Sequence, residues 1–268
     1  MSALPALLLV GGGKMGSALL AGWRELGLNA AIVVDPSPEA AKLAGPGIEI
    51  VPTAYQIPPG FTPDAVILAV KPQVAPQVLP AYARFAGSTV FISIMAGKTL
   101  HAICHMLGVK AAIVRAMPNT PAAIRQGITV AVAGVHVAPS QQTLADTLLA
   151  ATGQVAWVQD ESLLDPVTAV SGGGPAYVFL LTELLEKAAL EQGIPRDLAR
   201  TLARQTIIGA GALLAASTED AAELRIAVTS PGGTTERALA VLRADDAWPK
   251  SVSAAIDAAT KRSQELHG

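Results

Sequence analysis

The chain has 268 residues, of which 51% are hydrophobic, 15% are charged and 4% are aromatic. This length fits one large domain or two small ones, and the apolar content excludes an intrinsically disordered chain. The 19 basic and 21 acidic residues lack the basic excess of a nucleic-acid-binding protein. The single cysteine, Cys104, excludes an intrachain disulfide.

The longest apolar runs, at residues 65–70, 127–135 and 206–216, are shorter than the roughly 18–20 residues that a membrane-spanning helix needs. The run Leu4–Val10 has no Lys or Arg before it, so we interpret it as a buried strand and not as the core of a signal peptide. We therefore expect no membrane partner, and the lone thiol is consistent with a cytoplasmic location.

In the first 160 residues, short apolar runs alternate with helix-like segments. The runs are apolar on both faces, which is typical of parallel strands covered by helices on two sides. Thr99 is expected to cap a helix over Leu100–Leu107, and Ser140 a helix ending at Ala150. This alternation predicts an α/β domain with a doubly wound parallel sheet. The predicted strands are Leu7–Val10, Ala31–Val34, Ala65–Val70, Val90–Ile94, Ala112–Val114 and Thr129–Ala133.

From about Asp160 onward, strand signals nearly vanish and alanine-rich amphipathic segments take over. We therefore divide the chain into an α/β domain, residues 1–160, and an all-α domain, residues 161–268. The predicted helices of the second domain are Pro175–Gln192, Arg196–Ala216, Ala221–Val228, Thr234–Leu242 and Trp248–Leu266.

A glycine pattern, G-x-G-x-x-G, is formed by Gly11, Gly13 and Gly16. It follows a predicted buried strand and opens a predicted helix, which is the context that favours a dinucleotide-binding loop. The free amides at the start of such a helix can bind a pyrophosphate. The alternative is a glycine-rich turn in an unrelated α/β protein.

Asp35 ends the second predicted strand, 19 residues after Gly16, where an acidic side chain can accept hydrogen bonds from the adenosine ribose. Glu39 adds a second carboxylate, and Lys42 is the only basic residue nearby. Because two carboxylates repel a 2′-phosphate, we expect NADH or NADPH as the cofactor, with NADH favoured. The alternative is that Asp35 only stabilises a turn.

Candidates for acid–base, metal or nucleophilic chemistry are few. His101 and His105 lie four residues apart and could be ligands on one helix face, but no cluster of Cys, His and acidic residues completes a metal site. We therefore interpret them as surface histidines and expect no metal. Cys104 fits a small core residue better than a nucleophile. No tyrosine is followed by lysine four residues later, which disfavours a short-chain dehydrogenase.

Three polar islands interrupt this apolar sequence, at residues 115–121, 171–177 and 229–235. The first follows a predicted strand, at the sheet edge where ligands bind. The other two are predicted to open helices, where unpaired amides and the helix dipole favour an anion such as a carboxylate. Each island taken alone is more often a simple turn and helix cap, because capping already explains its Ser, Thr and Gly residues.

Taken together, these motifs resemble those of the pyrroline-5-carboxylate reductase family. The resemblance runs in order over nearly the whole chain, and the two glycine-containing helical islands are its most specific part. The segments that carry it are Val10–Gly16, Leu68–Gln73, Met117–Pro121, Ser171–Phe179 and Thr229–Thr235.

The resemblance implies an N-terminal Rossmann-type domain, a C-terminal helical domain that dimerises, and an active site between the domains with a contribution from the partner subunit. It implies reduction of the C=N bond of 1-pyrroline-5-carboxylate to L-proline in a homo-oligomer that is at least a dimer. It also implies that Thr235 is the catalytic residue and that its hydroxyl contacts the substrate ring nitrogen. The implied cofactor residues are Gly11, Gly13, Lys14, Met15, Gly16, Ala69, Lys71, Pro72, Ala96, Met117, Pro118 and Asn119. The implied substrate residues are Ser171, Ser230, Gly232, Gly233, Thr234 and Thr235.

The chemistry is compatible with this assignment, because a protonated cyclic imine is already electrophilic and its reduction depends mainly on orientation. The sequence departs from the family at Gly173, where a serine is usual, and at Ala227, where a side-chain amide is common. One rival is a hydroxyacid-type dehydrogenase, which needs a catalytic lysine; Lys187 instead lies on a segment rich in alanine and glutamate. A second rival is a non-catalytic dinucleotide-binding module, which has no need for the two helical islands.

Overall fold

The computed structural model describes residues 4–108 and 110–267. These residues form two compact units. The first unit contains the residues up to Gly172 together with those from Ala259 onward, and the second unit is Gly173–Ala258. Within the described ranges, no helix has both the length and the apolar character needed to cross a bilayer. The division between residues 160 and 161 stays a prediction about domain organisation.

One β-sheet forms the centre of the first unit. Its strands in chain order are β1 (Leu7–Val10), β2 (Ala31–Val34), β3 (Ile48–Val51), β4 (Ala65–Leu68), β5 (Val90–Ser93), β6 (Ala112–Met117), β7 (Gly127–Ala133) and β8 (Gly153–Val158). Their order across the sheet is β3-β2-β1-β4-β5-β6-β7-β8. Chain connections run outward in opposite directions from β1, and parallel sheets form a ligand crevice at the carboxyl ends of such strands.

The sheet is buried on both faces, as the continuous apolar runs predict. On one face, Leu9 belongs to a cluster of buried side chains that includes Trp23. On the other, Val10 belongs to a second cluster that includes Tyr82. The Trp23 indole also donates a hydrogen bond to the carbonyl of Leu148, at 2.8 Å, which ties two helices together on the first face.

The helices of the first unit are α1 (Lys14–Glu25), α2 (Ala75–Val78), α3 (Leu100–Leu107), α4 (Pro139–Ala150) and α5 (Leu164–Val167). The cap at Thr99 is confirmed, because its hydroxyl accepts a hydrogen bond from the Ala102 amide at 3.1 Å. The cap at Ser140 is wrong: α4 begins at Pro139, with Ala138 preceding it. Proline is favoured in the first helical turn, since it has no amide hydrogen to leave unpaired.

The predicted doubly wound α/β sheet is confirmed, with two strands added. The added strands are β3 and β8, which lie at the two edges of the sheet. Edge strands bury fewer of their side chains, and these two carry exposed residues such as Glu49 and Gln154. They therefore lack the continuous apolar runs that identify the central strands.

One pairing departs from the expected all-parallel sheet. β7 pairs antiparallel with β6, with Val114 opposite Ala133 and Met117 opposite Val130. Residues 118–126 connect the two strands. This connection is shorter than the dozen or more residues that a parallel crossover requires, so the chain turns back directly.

The second unit is helical, as predicted. Its helices are α6 (Gly174–Glu191), α7 (Arg196–Ala216), α8 (Ala221–Ala227), α9 (Thr234–Leu242) and α10 (Trp248–Glu265), the last of which ends in the first unit. Ala199 and Ala203 are the buried residues of α7, whereas Phe179 and Leu213 are 69% and 63% exposed. The long helices of this unit therefore present apolar side chains at its surface.

Candidate active site

The turn between β1 and α1 leaves no room for side chains at two of the predicted glycines. Gly11 has φ of +101°, and a Cβ there lies 2.6 Å from the Ala69 carbonyl oxygen. A Cβ on Gly16 lies 2.1 Å from the Gly11 carbonyl oxygen. The loop therefore packs directly on the end of β4, and Gly13 caps α1 without a side chain. This cradle fits a dinucleotide pyrophosphate held by the first amides of α1.

Asp35 follows β2 and is held against the same loop. Its Oδ2 accepts a hydrogen bond from the Gly12 amide at 2.6 Å, and its Oδ1 accepts one from the Ser37 amide at 2.8 Å. Asp35 therefore does stabilise a turn, as the alternative interpretation states. The same two bonds fix the carboxylate beside the glycine loop, at the edge where a ribose binds in dinucleotide folds.

A pocket of about 610 Å³ opens at the carboxyl ends of β1, β2 and β4. This volume lies within the usual range of small-molecule and cofactor sites. Five predicted cofactor residues line it, namely Gly11, Gly13, Asp35, Ala69 and Lys71.

Sequence reasoning misses part of this pocket. Thr53 and Tyr55 line it and follow β3, the unpredicted strand; Gln77 and Tyr82 line it from the segment after β4. The alternation in Ile48–Val51 is the signal that could have located Thr53 and Tyr55. Burial raises the pKa of the Tyr82 phenol well above its ordinary value, so this side chain is neutral at assay pH.

Four further predicted cofactor residues end or follow strands at the same sheet edge. Ala96 follows β5, whose Ser93 is in register with Leu68 of β4 and Arg115 of β6. Met117 ends β6, and Pro118 and Asn119 follow it. These residues extend the edge away from the Asp35 end of the pocket, in the direction that a dinucleotide extends across the switch point.

Two side chains of the first polar island have structural partners. Asn119 Oδ1 accepts a hydrogen bond from the Ile128 amide at 3.0 Å, which holds the loop between β6 and β7. Arg115 is 3% exposed, and its Nη1 lies 2.8 Å from Glu161 Oε1, which also accepts a hydrogen bond from the Leu100 amide. Arg115 thus links β6 to Glu161 by an internal ion pair, and Glu161 in turn holds the start of α3.

The second island differs from the expectation that Ser171 opens a long helix. Ser171 lies in a π-helical segment, Thr168–Gly172, and its hydroxyl donates to the Val167 carbonyl at 3.0 Å. Helix α6 starts only at Gly174. A Cβ on Gly172 lies 3.0 Å from Met117 Cε, so the end of this segment packs on a predicted cofactor residue. Single π-helical turns occur frequently at functional sites.

The third island precedes and opens α9, as predicted. Gly232 has φ of +71°, and its amide donates to Glu236 Oε2 at 2.8 Å. The Gly233 amide donates to the Ser230 carbonyl at 3.0 Å. Two amides of the predicted carboxylate cradle therefore have internal partners. Thr234 and Thr235 are the first residues of α9, where helical amides have no intrahelical acceptor, and both are exposed.

Sequence reasoning misses Glu236. Its carboxylate occupies the first turn of α9, where the helix dipole favours a negative charge. An acidic residue three positions after the cap at Gly233 is the sequence signal for this interaction.

Comparisons with known proteins identify the two parts of the chain. Residues 161–266 match the family model for pyrroline-5-carboxylate reductase dimerisation. Residues 6–97 match the model described as NADP oxidoreductase coenzyme F420-dependent.

Similar proteins extend over nearly the full chain. The chain is 39% identical over 267 residues to a pyrroline-5-carboxylate reductase of Pseudomonas aeruginosa, covering 98% of this chain and 97% of that protein. The structure resembles a pyrroline-5-carboxylate reductase from Coxiella burnetii with a TM-score of 0.89 and 33% identity, over 98% and 99% of the two chains. The structure also resembles that of a Plasmodium falciparum pyrroline carboxylate reductase with NADP bound, with a TM-score of 0.83 and 27% sequence identity over 98% of each chain. The chain therefore belongs to the pyrroline-5-carboxylate reductase family.

Proposed function

We propose that this chain reduces the C=N bond of 1-pyrroline-5-carboxylate to give L-proline, the last step of proline biosynthesis, with NADH or NADPH as the reductant. The observation that carries the proposal is the 39% identity to a named reductase over 267 residues, which includes both helical islands. The glycine cradle at the end of β1 supports the same reaction, because Gly11 and Gly16 leave no room for side chains where a dinucleotide pyrophosphate binds in this type of fold.

We infer that the cofactor lies along the carboxyl edge of the sheet. When bound, the reduced nicotinamide supplies a hydride to the substrate carbon. Gly11, Gly13, Gly16 and the first amides of α1 would hold the pyrophosphate, and Asp35 would accept hydrogen bonds from the ribose. The other residues assigned to the cofactor are Lys14, Met15, Ala69, Lys71, Pro72, Ala96, Met117, Pro118 and Asn119.

We further infer that NADH is preferred over NADPH. The Asp35 carboxylate is held in place by two backbone amides, so it cannot easily turn away from a 2′-phosphate. Lys42 forms an exposed ion pair with Glu39, which reduces the attraction that the lysine offers to an added phosphate. A fixed negative charge at this position repels the phosphate.

On the substrate side, we infer that the amides of Thr234 and Thr235 bind the carboxylate, assisted by the hydroxyls of Ser230 and Ser171. The Thr235 hydroxyl accepts a hydrogen bond from the protonated ring nitrogen and so orients the imine. Ser230, Thr234 and Thr235 are exposed at or just before the start of α9. Ser171 lies in the segment Thr168–Gly172 and is half-buried. Because an iminium carbon is already electrophilic, this orientation needs no strong general acid.

We also propose that the enzyme is a homo-oligomer that associates through its second unit. The match to a dimerisation family over residues 161–266 supports self-association. The exposed apolar side chains of α6 and α7 provide surface that association can bury. A cytoplasmic location stays a prediction.

The test is oxidation of NADH and NADPH, followed at equal concentrations, with DL-1-pyrroline-5-carboxylate as substrate and a 2-keto acid as the control substrate. We expect turnover of the imine only, with kcat/KM at least about tenfold higher for NADH, since about 1.4 kcal/mol of repulsion gives a tenfold ratio. Absence of imine turnover with both cofactors contradicts the function. A preference for NADPH contradicts the Asp35 inference alone.

A further inference from the structure

Three polar side chains from distant parts of the first unit meet at a buried point. Asp165 lies in α5, whereas Ser263 and His267 belong to the C-terminal segment, which we define as residues 263–267. Asp165 Oδ1 accepts a hydrogen bond from Ser263 Oγ at 2.7 Å and one from His267 Nε2 at 2.8 Å. Asp165 and Ser263 are 2% and 5% exposed.

Because Asp165 and Ser263 are buried, the hydrogen bonds to the Asp165 carboxylate are costly to break. A carboxylate removed from water is costly unless donors satisfy it. Here the hydroxyl and the imidazole of the C-terminal segment both donate to the same oxygen. The position of α5 is therefore coupled to the position of the C-terminal segment.

The same segment also packs on the loop that follows β5. A Cβ on Gly97 lies 2.8 Å from Leu266 Cβ and 3.1 Å from the Leu266 carbonyl oxygen. Gly97 has φ of +70°, a conformation that favours glycine. Ala96, the preceding residue, is one of those assigned to the cofactor. The C-terminal segment thus touches α5 on one side and this cofactor loop on the other.

At its C-terminal end, α5 continues directly into the π-helical segment Thr168–Gly172, which carries Ser171. The Ser171 hydroxyl donates to the Val167 carbonyl at 3.0 Å, and the Thr168 hydroxyl donates to the Leu164 carbonyl at 2.6 Å. The segment ends at Gly172, against Met117. A shift of α5 therefore moves Ser171 and the contact with Met117 together.

We propose that Asp165, Ser263 and His267 are positioning residues for the reduction, because they join the C-terminal segment to α5 and so set the Ala96 loop and Ser171 relative to each other. The proposal rests on the proposed reductase activity. None of the three residues is assigned a contact with substrate or cofactor. Their effect is on orientation, and displacements of about 1 Å can reduce turnover by about a hundredfold.

The experiment compares Ser263→Ala and His267→Ala with Gln264→Ala, a matched control on the same turn whose side chain is exposed. His267→Gln restores an N–H donor and tests rescue. For each protein we measure kcat, KM, NADH affinity by fluorescence titration, melting temperature, and amide hydrogen exchange of cofactor-free protein at residues 94–97 and 168–172. Wild-type turnover, measured first, tests the proposed function separately.

We expect kcat to fall at least about tenfold in both alanine variants, with NADH affinity within about twofold of wild type, because orientation and not binding is lost. Exchange at both segments accelerates at least about fivefold, as local opening becomes easier. His267→Gln recovers most of both effects, and Gln264→Ala shows neither.

The proposal is overturned if exchange at either segment keeps its wild-type rate in both alanine variants. It is equally overturned if kcat matches that of Gln264→Ala, or if kcat falls only in proportion to the folded fraction at assay temperature. Asp165→Asn gives a second check that leaves the helix shape intact. Its kcat must fall and its exchange rates must rise, as we expect for the two alanine variants.

Discussion

Asp35 shows how closely a predicted ligand contact and a structural contact can coincide in one side chain. Position and residue type identify it from the sequence, but they do not separate a ribose contact from a turn. The structure supplies the turn, through hydrogen bonds from the Gly12 and Ser37 amides. Asn119 and Ser171 follow the same pattern, since each bonds to nearby backbone. The bonds from Gly12 to Asp35 and from Ile128 to Asn119 join residues 23 and 9 positions apart, and no local sequence pattern specifies them.

Glu236 is the residue-scale feature that sequence reasoning misses. Its bond to the Gly232 amide withdraws one predicted donor from the substrate carboxylate. The donors that remain are those of Thr234 and Thr235 at the start of α9. The set of amides available to a substrate carboxylate is therefore smaller than the motif alone indicates, and the proposed role of Thr235 gains weight.

For this reason we expect Thr235→Ala to lower kcat by about tenfold or more, because a hydrogen bond to a charged group contributes about 1.5–3 kcal/mol. NADH affinity, measured by fluorescence titration, stays near the wild-type value. Thr235→Ser retains the hydroxyl and recovers most of the turnover. An unchanged kcat in the alanine variant removes Thr235 from the mechanism.

At the scale of elements, the predictions succeed where local patterns determine the structure. The bounds of α7 and α9 are those predicted, because Pro195 precedes one and a glycine pair precedes the other. The predictions fail where pairing decides the outcome, as in β3 and β8 at the sheet edges. The antiparallel direction of β7 likewise follows from the short connection at residues 118–126, not from residue type.

The packing of α1 on β1 and β4 gives the element-scale prediction. Gly16→Ala introduces a methyl group 2.1 Å from the Gly11 carbonyl oxygen, so α1 must move away from the strands. We expect NADH affinity to fall at least about tenfold, and overpacking of about 1–3 kcal/mol to lower the melting temperature by about 3–10 °C. Calorimetry and fluorescence titration measure the two effects.

Gly60→Ala is the matched control for that change, because a Cβ at Gly60 meets no atom within 4 Å. It keeps the wild-type melting temperature and NADH affinity. A Gly16→Ala protein that behaves like this control contradicts the steric argument for the glycine loop.

At the scale of the whole molecule, the structure shows where the excess of apolar residues lies. A chain that is 51% hydrophobic and only 15% charged has more apolar surface than one small core needs. In the structure, this excess is concentrated on the long helices of the second unit, where Phe179, Ile208 and Leu213 are all more than half exposed. These helices lie within residues 161–266, which match the pyrroline-5-carboxylate reductase dimerisation family.

We therefore expect Phe179→Glu to shift the protein toward monomers at micromolar concentration, because a buried unpaired charge destabilises an interface. Light scattering coupled to size-exclusion chromatography measures the change. Val135→Glu is the control: Val135 is 96% exposed in the first unit and its variant keeps the wild-type mass. Equal masses for both variants place the interface elsewhere.

The return of α10 to the first unit has a consequence for how the chain is made. Topologically, the second unit is an insertion, since the residues on both sides of Gly173–Ala258 belong to the first unit. Ribosomes synthesise residues 173–258 before residues 259–267. The hydrogen bonds from Ser263 and His267 to Asp165 can therefore form only after the whole helical unit has been synthesised. A fragment ending at residue 172 keeps the whole sheet but leaves the Asp165 carboxylate without these two donors. Most of the first unit is therefore synthesised first, but its last residues are added only at the end of translation.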